Sequence, residues 1–102
     1  MPYIKREARP VIDDHMKRLE QHIETPGDLN YAISHLCAGI LEQRRFKNGR
    51  WGYADINEII GALECAKLEL YRRVAVPYED QKIVENGDVY DGVTPNNRED
   101  VK

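Results

Sequence analysis

Long apolar runs are missing from this chain. No stretch is apolar enough to cross a bilayer, and the N-terminal MPYIKREARP lacks the apolar core of a secretory signal. A cytoplasmic protein is the expectation. Cysteine is scarce as well. Cys37 and Cys65 each sit in a helical pattern beside apolar residues, and read as small hydrophobes of a reducing compartment, not as a disulfide or a metal pair. Excess positive charge is also lacking. The net charge is −3, and residues 78–102 hold seven acids against three bases, which leaves residues 1–77 at +1. A nearly neutral body with an acidic tail has no general grip on duplex nucleic acid, so neither nucleic acid nor membrane is an expected partner. Nucleophilic triads, phosphate-binding loops, zinc-ligand pairs and internal repeats are absent. No metal or cofactor is expected, and the reading leans away from an enzyme.

What is present is helical periodicity. Ile56, Ile59, Ile60, Leu63, Ala66, Leu70 and Val74 cover one arc of a long helix, with Glu58, Glu69 and Arg72 on the opposite side. Asp55 and Glu58 have the spacing of a capping box at its start. Pro77 predicts a kink, and Val76 before it should turn extended. From Tyr78 to Asn86 the pattern reads as helix again, closed by Gly87 in the left-handed position. Ahead of this stretch, residues 1–9 form a polar arm and Pro10 suits a first helical turn. Ile12, Met16, Leu19 and Ile23 make a narrow stripe flanked by His15 and His22, which lie too far apart to share one metal. Thr25-Pro26-Gly27-Asp28 is a turn with Asp28 as the helix cap, followed by Leu29, Ala32, Ile33, Leu36, Ile40 and Leu41 on the next stripe.

Between these helices lies Arg44-Arg45-Phe46-Lys47-Asn48-Gly49-Arg50-Trp51-Gly52-Tyr53. Asn48-Gly49 favours a tight turn, so a short two-stranded hairpin is expected over 44–53. Four bases and three aromatics in ten residues suit a nucleotide contact, but they equally suit the closed end of a bundle with solvated cations. The expected architecture is all-α: a small bundle of a helical hairpin plus a long, Pro-kinked third helix. Residues 1–90 form a single domain, with Ile33, Leu36, Ile40, Ile56, Ile60, Leu63 and Leu70 in one core. Residues 91–102 form a flexible polar tail.

Lys67 falls inside the apolar arc, between the angular positions of Leu63 and Ile60, with Glu64 and Tyr71 one turn to either side. A cation on a buried face needs a partner or a ligand. Two readings follow: a lysine that snorkels to the rim and pairs with Glu64, or a lysine that binds an anion. The second reading gathers Lys67, Tyr71, Arg72 and Arg73 on the long helix, with Glu64 as partner and Tyr78 as a stacking ring. Asn30 and Tyr31 join them from the start of the second helix, where a helix N-terminus favours anions.

GDLNY at 27–31, INEIIGALECAKLELYRR at 56–73 and PYEDQKIVENGDVY at 77–90 together resemble a small family of uncharacterised proteins of bacteria and their phages. The resemblance implies an all-helical fold and an intracellular, phage-borne protein, and transfers no catalytic residues. Three functions are compatible with the chain. The first is a homo-oligomeric, non-catalytic binding protein for a small anionic ligand, a nucleotide or cyclic nucleotide immune signal, by analogy with phage sponges. The second is an all-α, magnesium-dependent nucleotide pyrophosphohydrolase. Against it, Gly87 interrupts the Glu85–Asp88 pair, and Glu64 and Glu69 point to different faces. The third is a purely structural protein-interaction module.

Overall fold

The computed structural model describes residues 2–93. Residues 94–102, most of the expected tail, lie outside the described residues. The fold is all-α, a small helical bundle with no strand among the described residues. A 3-10 turn at Arg6–Ala8 leads into α1, Arg9–Glu20. Then come α2, Pro26–Asn48, and α3, Tyr53–Leu70. A π-helical turn, Tyr71–Ala75, precedes α4, Val76–Asn86. The chain divides into two compact units, Met1–Ala66 and Lys67–Lys102. No helix is long and apolar enough to cross a membrane.

The expected polar arm is in part helical, and Arg9 ties it down by donating from Nε to the Ile4 carbonyl at 3.0 Å. In α2 the cap is Thr25 rather than Asp28. The Thr25 hydroxyl accepts the Asp28 N–H at 3.0 Å, and the Asp28 carboxylate accepts the N–H groups of Glu24 and Thr25 at 3.0 and 3.2 Å. Three positions earlier, the chain gains a reciprocal pair that Asp28 alone could not make, and Pro26 fits the first turn because it needs no N–H partner.

The hairpin expected over 44–53 does not form. Residues 44–48 continue α2, and Gly49 ends it at φ 84°, donating its N–H to the Arg45 carbonyl at 2.8 Å. Asn-Gly serves a helix C-terminus as well as a strand turn, because both need a residue at positive φ. The start of α3 is also earlier than the Asp55–Glu58 box implied. Gly52 precedes the first turn, and Asp55 reaches back to accept the Gly52 N–H at 2.8 Å. Asp55 also pairs with Arg44 of α2 at 3.4 Å, and Arg44 extends to Glu58 at 3.9 Å. These contacts bring the end of α2 and the start of α3 together around a four-residue connection.

Val76 does not turn extended ahead of Pro77. Its backbone stays helical at φ −62°, ψ −51°. A proline inside a helix has no N–H to give and its ring crowds the carbonyl four residues back. Here the preceding turn widens instead, and the Val76 N–H bonds to the Tyr71 carbonyl, five residues back. Gly87 then ends α4 at φ 92°, ψ 152°, a region open only to glycine, and not the left-handed helical conformation the sequence suggested.

The expected core does not close among the described residues. No described residue is buried. Ile40 and Ile56 are half-buried, but Leu36, Ile60 and Leu70 remain 48%, 58% and 64% exposed. The reason lies in what the stripes face. In the first unit, α2 and α3 turn their apolar faces toward one open groove of about 350 Å³, lined by Ile33, Leu36, Cys37, Ile40, Ile59, Ala62 and Leu63. Nothing in the unit lies across it.

The cap at α2 generates two tests. Thr25→Ala should lower stability by about 1 kcal/mol, the usual loss for a capping hydroxyl, in chemical denaturation. The Asp28 carboxyl is held below the ordinary carboxylate range by the backbone N–H of Glu24, then by that of Thr25. A depressed folded-state pKa stabilises above the unfolded value and is lost as pH falls through the folded value. Asp28→Asn should therefore flatten the acid limb of the stability profile and leave its neutral limb parallel to that of the native chain.

Candidate functional site

The residues singled out for anion binding fall in different parts of the molecule. Asn30, Tyr31 and Glu64 belong to the first unit, and Lys67, Tyr71, Arg72, Arg73 and Tyr78 to the second. Asn30 and Tyr31 turn to their own helix. The Asn30 Oδ1 accepts the Ser34 hydroxyl at 3.2 Å, and the Tyr31 ring tilts against His35 with centroids 5.9 Å apart. At the N-terminus beside them, Asp28 already places a carboxylate of the chain's own. Lys67 and Glu64 are both exposed. The Lys67 ammonium therefore keeps its hydration and carries no burial cost that a ligand would have to offset.

In the second unit the basic run is centred on the widened turn. Tyr71, Arg72 and Arg73 are its first three residues. Arg72 donates to Glu69 at 2.7 Å, a close pair whose carboxylate is largely covered while the guanidinium is 66% exposed. Arg73 is exposed. Tyr71 points the other way along the helix and donates its hydroxyl to Glu79 at 3.2 Å. That hydrogen bond, and then the charge of Glu79, push the phenol pKa above its ordinary value. The Tyr78 ring lies under the Lys82 ammonium at 5.5 Å from its centroid, while Lys82 also pairs with Glu85 at 3.2 Å.

These contacts frame a hollow of about 470 Å³ that the sequence did not single out. Tyr71, Glu79 and Lys82 form its helical side. Asn86, Gly87, Asp88 and Tyr90 form the other, where the chain turns back after α4. Asp88 is spent on that turn, its Oδ1 accepting the Tyr90 N–H at 2.8 Å. Of the residues expected to bind a ligand, the hollow takes up only Tyr71. The missed signal was PYEDQKIVENGDVY itself, a polar string that a plain helix does not require. It supplies the hollow with the Tyr90 phenol, an ammonium, carboxylates and an amide, and Tyr71 adds a second phenol, a set that can hydrogen-bond a polar ligand and stack against a flat one.

Glu85 and Asp88, the carboxylates of the magnesium reading, are engaged separately with Lys82 and Tyr90. Among the described residues no group of three or more His, Cys, Asp or Glu side chains could hold a metal ion. His15 and His22 are both exposed.

The sequence profile of a family described as a domain of unknown function, DUF6899, matches residues 1–89. No curated protein and no solved structure matches the chain.

The coupling of Tyr71 to Glu79 can be read directly. Glu79→Gln removes the carboxylate charge, so the Tyr71 phenol should ionise at lower pH than in the native chain. Ultraviolet difference titration, with Tyr71→Phe subtracted to isolate that one tyrosine, should show the shift. Identical Tyr71 titrations in both proteins would mean that the hydrogen bond does not persist in solution.

Proposed function

We propose that this chain, a member of the DUF6899 family, is a non-catalytic binding protein that works as an assembly of its own copies. The carrying observation is that no described residue is buried. Ordering a residue's backbone costs about 1–2 kcal/mol. Caps return about 1 kcal/mol each, and exposed ion pairs such as Arg18–Asp14 or Arg45–Glu42 about 0–1 kcal/mol. The helix α1, with 12 residues, is only as long as the shortest helix that persists in isolation in water, about 12–15 residues. Local terms therefore fall far short among the described residues, which supports burial against a partner. A second copy is the partner present whenever the chain is made, and every helix can both give and receive apolar surface.

A second observation supports a ligand of anionic character, a nucleotide above all. Tyr71, Arg72 and Arg73 lie on a π-helical turn, and such turns occur often at functional sites. An arginine fork suits phosphate oxygens, and the Tyr71 and Tyr78 rings suit a base. Lys67 lies one turn before Tyr71 and adds to the positive field. This reading carries with it a cytoplasmic protein of bacterial or phage origin that sequesters its ligand without turning it over. The engagement of Glu85 and Asp88 elsewhere supports capture over magnesium-dependent hydrolysis.

Light scattering at micromolar concentration should give a mass at least twice the 11.8 kDa of the chain, and the melting temperature should rise with protein concentration. A strictly monomeric protein with a concentration-independent melt would end the assembly reading. For the ligand, the purified protein should be mixed with cellular nucleotides, cyclic dinucleotides included, and the bound species identified by mass spectrometry. Arg72→Gln with Arg73→Gln should lose that species and keep its helical content. Retention of the species would remove the π turn from the site.

A further inference from the structure

We infer that the groove between α2 and α3 is the seam at which a second copy of this chain seats its own α2–α3 pair. This rests on the self-association proposed above and specifies its surface. Leu29, Ile33, Leu36 and Ile40 follow one another at intervals of four, three and four residues on α2. Ile56, Ile59, Leu63 and Ala66 do so at three, four and three on α3. That is the heptad spacing whose side chains interdigitate between helices in bundles. A period of 3.5 holds a stripe in line along a partner helix, whereas burial under a loop sets no such period. Two stripes side by side with an open groove between them are half of a four-helix arrangement.

Charge favours a copy over a foreign helix as occupant. A two-fold contact sets a surface against itself, so a face with charge of one sign repels its twin. The groove is lined by one cation and one anion, Arg44 and Glu58, 3.9 Å apart across the two helices, and Asp55 holds Arg44 from outside the lining at 3.4 Å. The rest of the lining is apolar. A face already neutral within itself meets its own copy without repulsion and offers no uncompensated charge to select an acidic or basic partner.

The native chain carries its own reporter. Cys37 lines the groove and is half-buried, while Cys65 is exposed on α3 outside it. Iodoacetamide labelling of the full chain, read cysteine by cysteine with mass spectrometry, should be run across about a hundredfold range of protein concentration. Once the chain assembles, Cys37 should slow by at least about tenfold against Cys65, because a thiol reacts only where reagent reaches it. A Cys37/Cys65 ratio that stays constant while light scattering shows assembly would overturn the seam and leave the assembly reading standing. Absence of assembly would remove both. Leu63→Lys should weaken association at least about tenfold, and Phe46→Lys, on α2 outside the groove and 92% exposed, should not. The reverse pattern would also overturn the seam. Where Leu63→Lys fails to fold, the labelling of the native chain decides.

Discussion

A helix in water is held by whatever its apolar stripe is pressed against. Here that support is missing from the inside. Helix ends are well made: Thr25 and Asp28 satisfy each other, Asp55 holds the Gly52 N–H, and Gly49 closes α2. Such devices decide where helices begin and stop, and add about 1 kcal/mol apiece. They do not replace the burial of many large side chains, each of which adds about 1.5–3 kcal/mol. With Leu36 and Leu63 still 48% and 40% exposed, the stripe of the first unit is a surface waiting for a counterpart. In the assembly proposed above, stability, association and any ligand site formed there would be one equilibrium.

The sequence exposed the helices and hid what they face. Periodicity located the stripes on α1, α2 and α3, because a 3.6-residue repeat is a property of the chain alone. Whether a stripe is covered depends on the number of elements that can reach it, and no local pattern carries that number. The cap errors have a narrower cause. Thr25 and Asp28 both suit an N-cap, and only the chain's path into the helix decides that Thr25 takes the cap and Asp28 the third position. At Asn48-Gly49 the ambiguity was chemical: positive φ was foreseen, and the element it served was not.

The candidate site was legible to a similar degree. The basic and aromatic residues around Tyr71 stood out by type, and the structure places them on one turn. Their partners did not, since Glu69, Glu79 and Lys82 read as ordinary surface charges until the backbone sets them against Arg72, Tyr71 and Tyr78. Lys67 misled for the same reason as the core: its angle promised burial, and among the described residues it is exposed. Asn30 and Tyr31 were grouped with the others by chemistry, while the fold gives them neighbours of their own in Ser34 and His35.

The widened turn before Pro77 alters the angular phase of everything after it. Each residue of an α-helix advances about 100°, so residues eight apart end about 80° out of line. Tyr71 and Glu79 are eight apart, yet their side chains meet at 3.2 Å. A π turn takes up one additional residue, so those eight steps carry the rotation of roughly seven, about 20° short of two full turns. The extra residue thus acts as a phase corrector that sets Glu79 above Tyr71. Regular winding with every residue kept would rotate α4 by about 100° and part the phenol from its carboxylate, whereas loss of one residue between 72 and 76 would restore regular winding and leave the two in line.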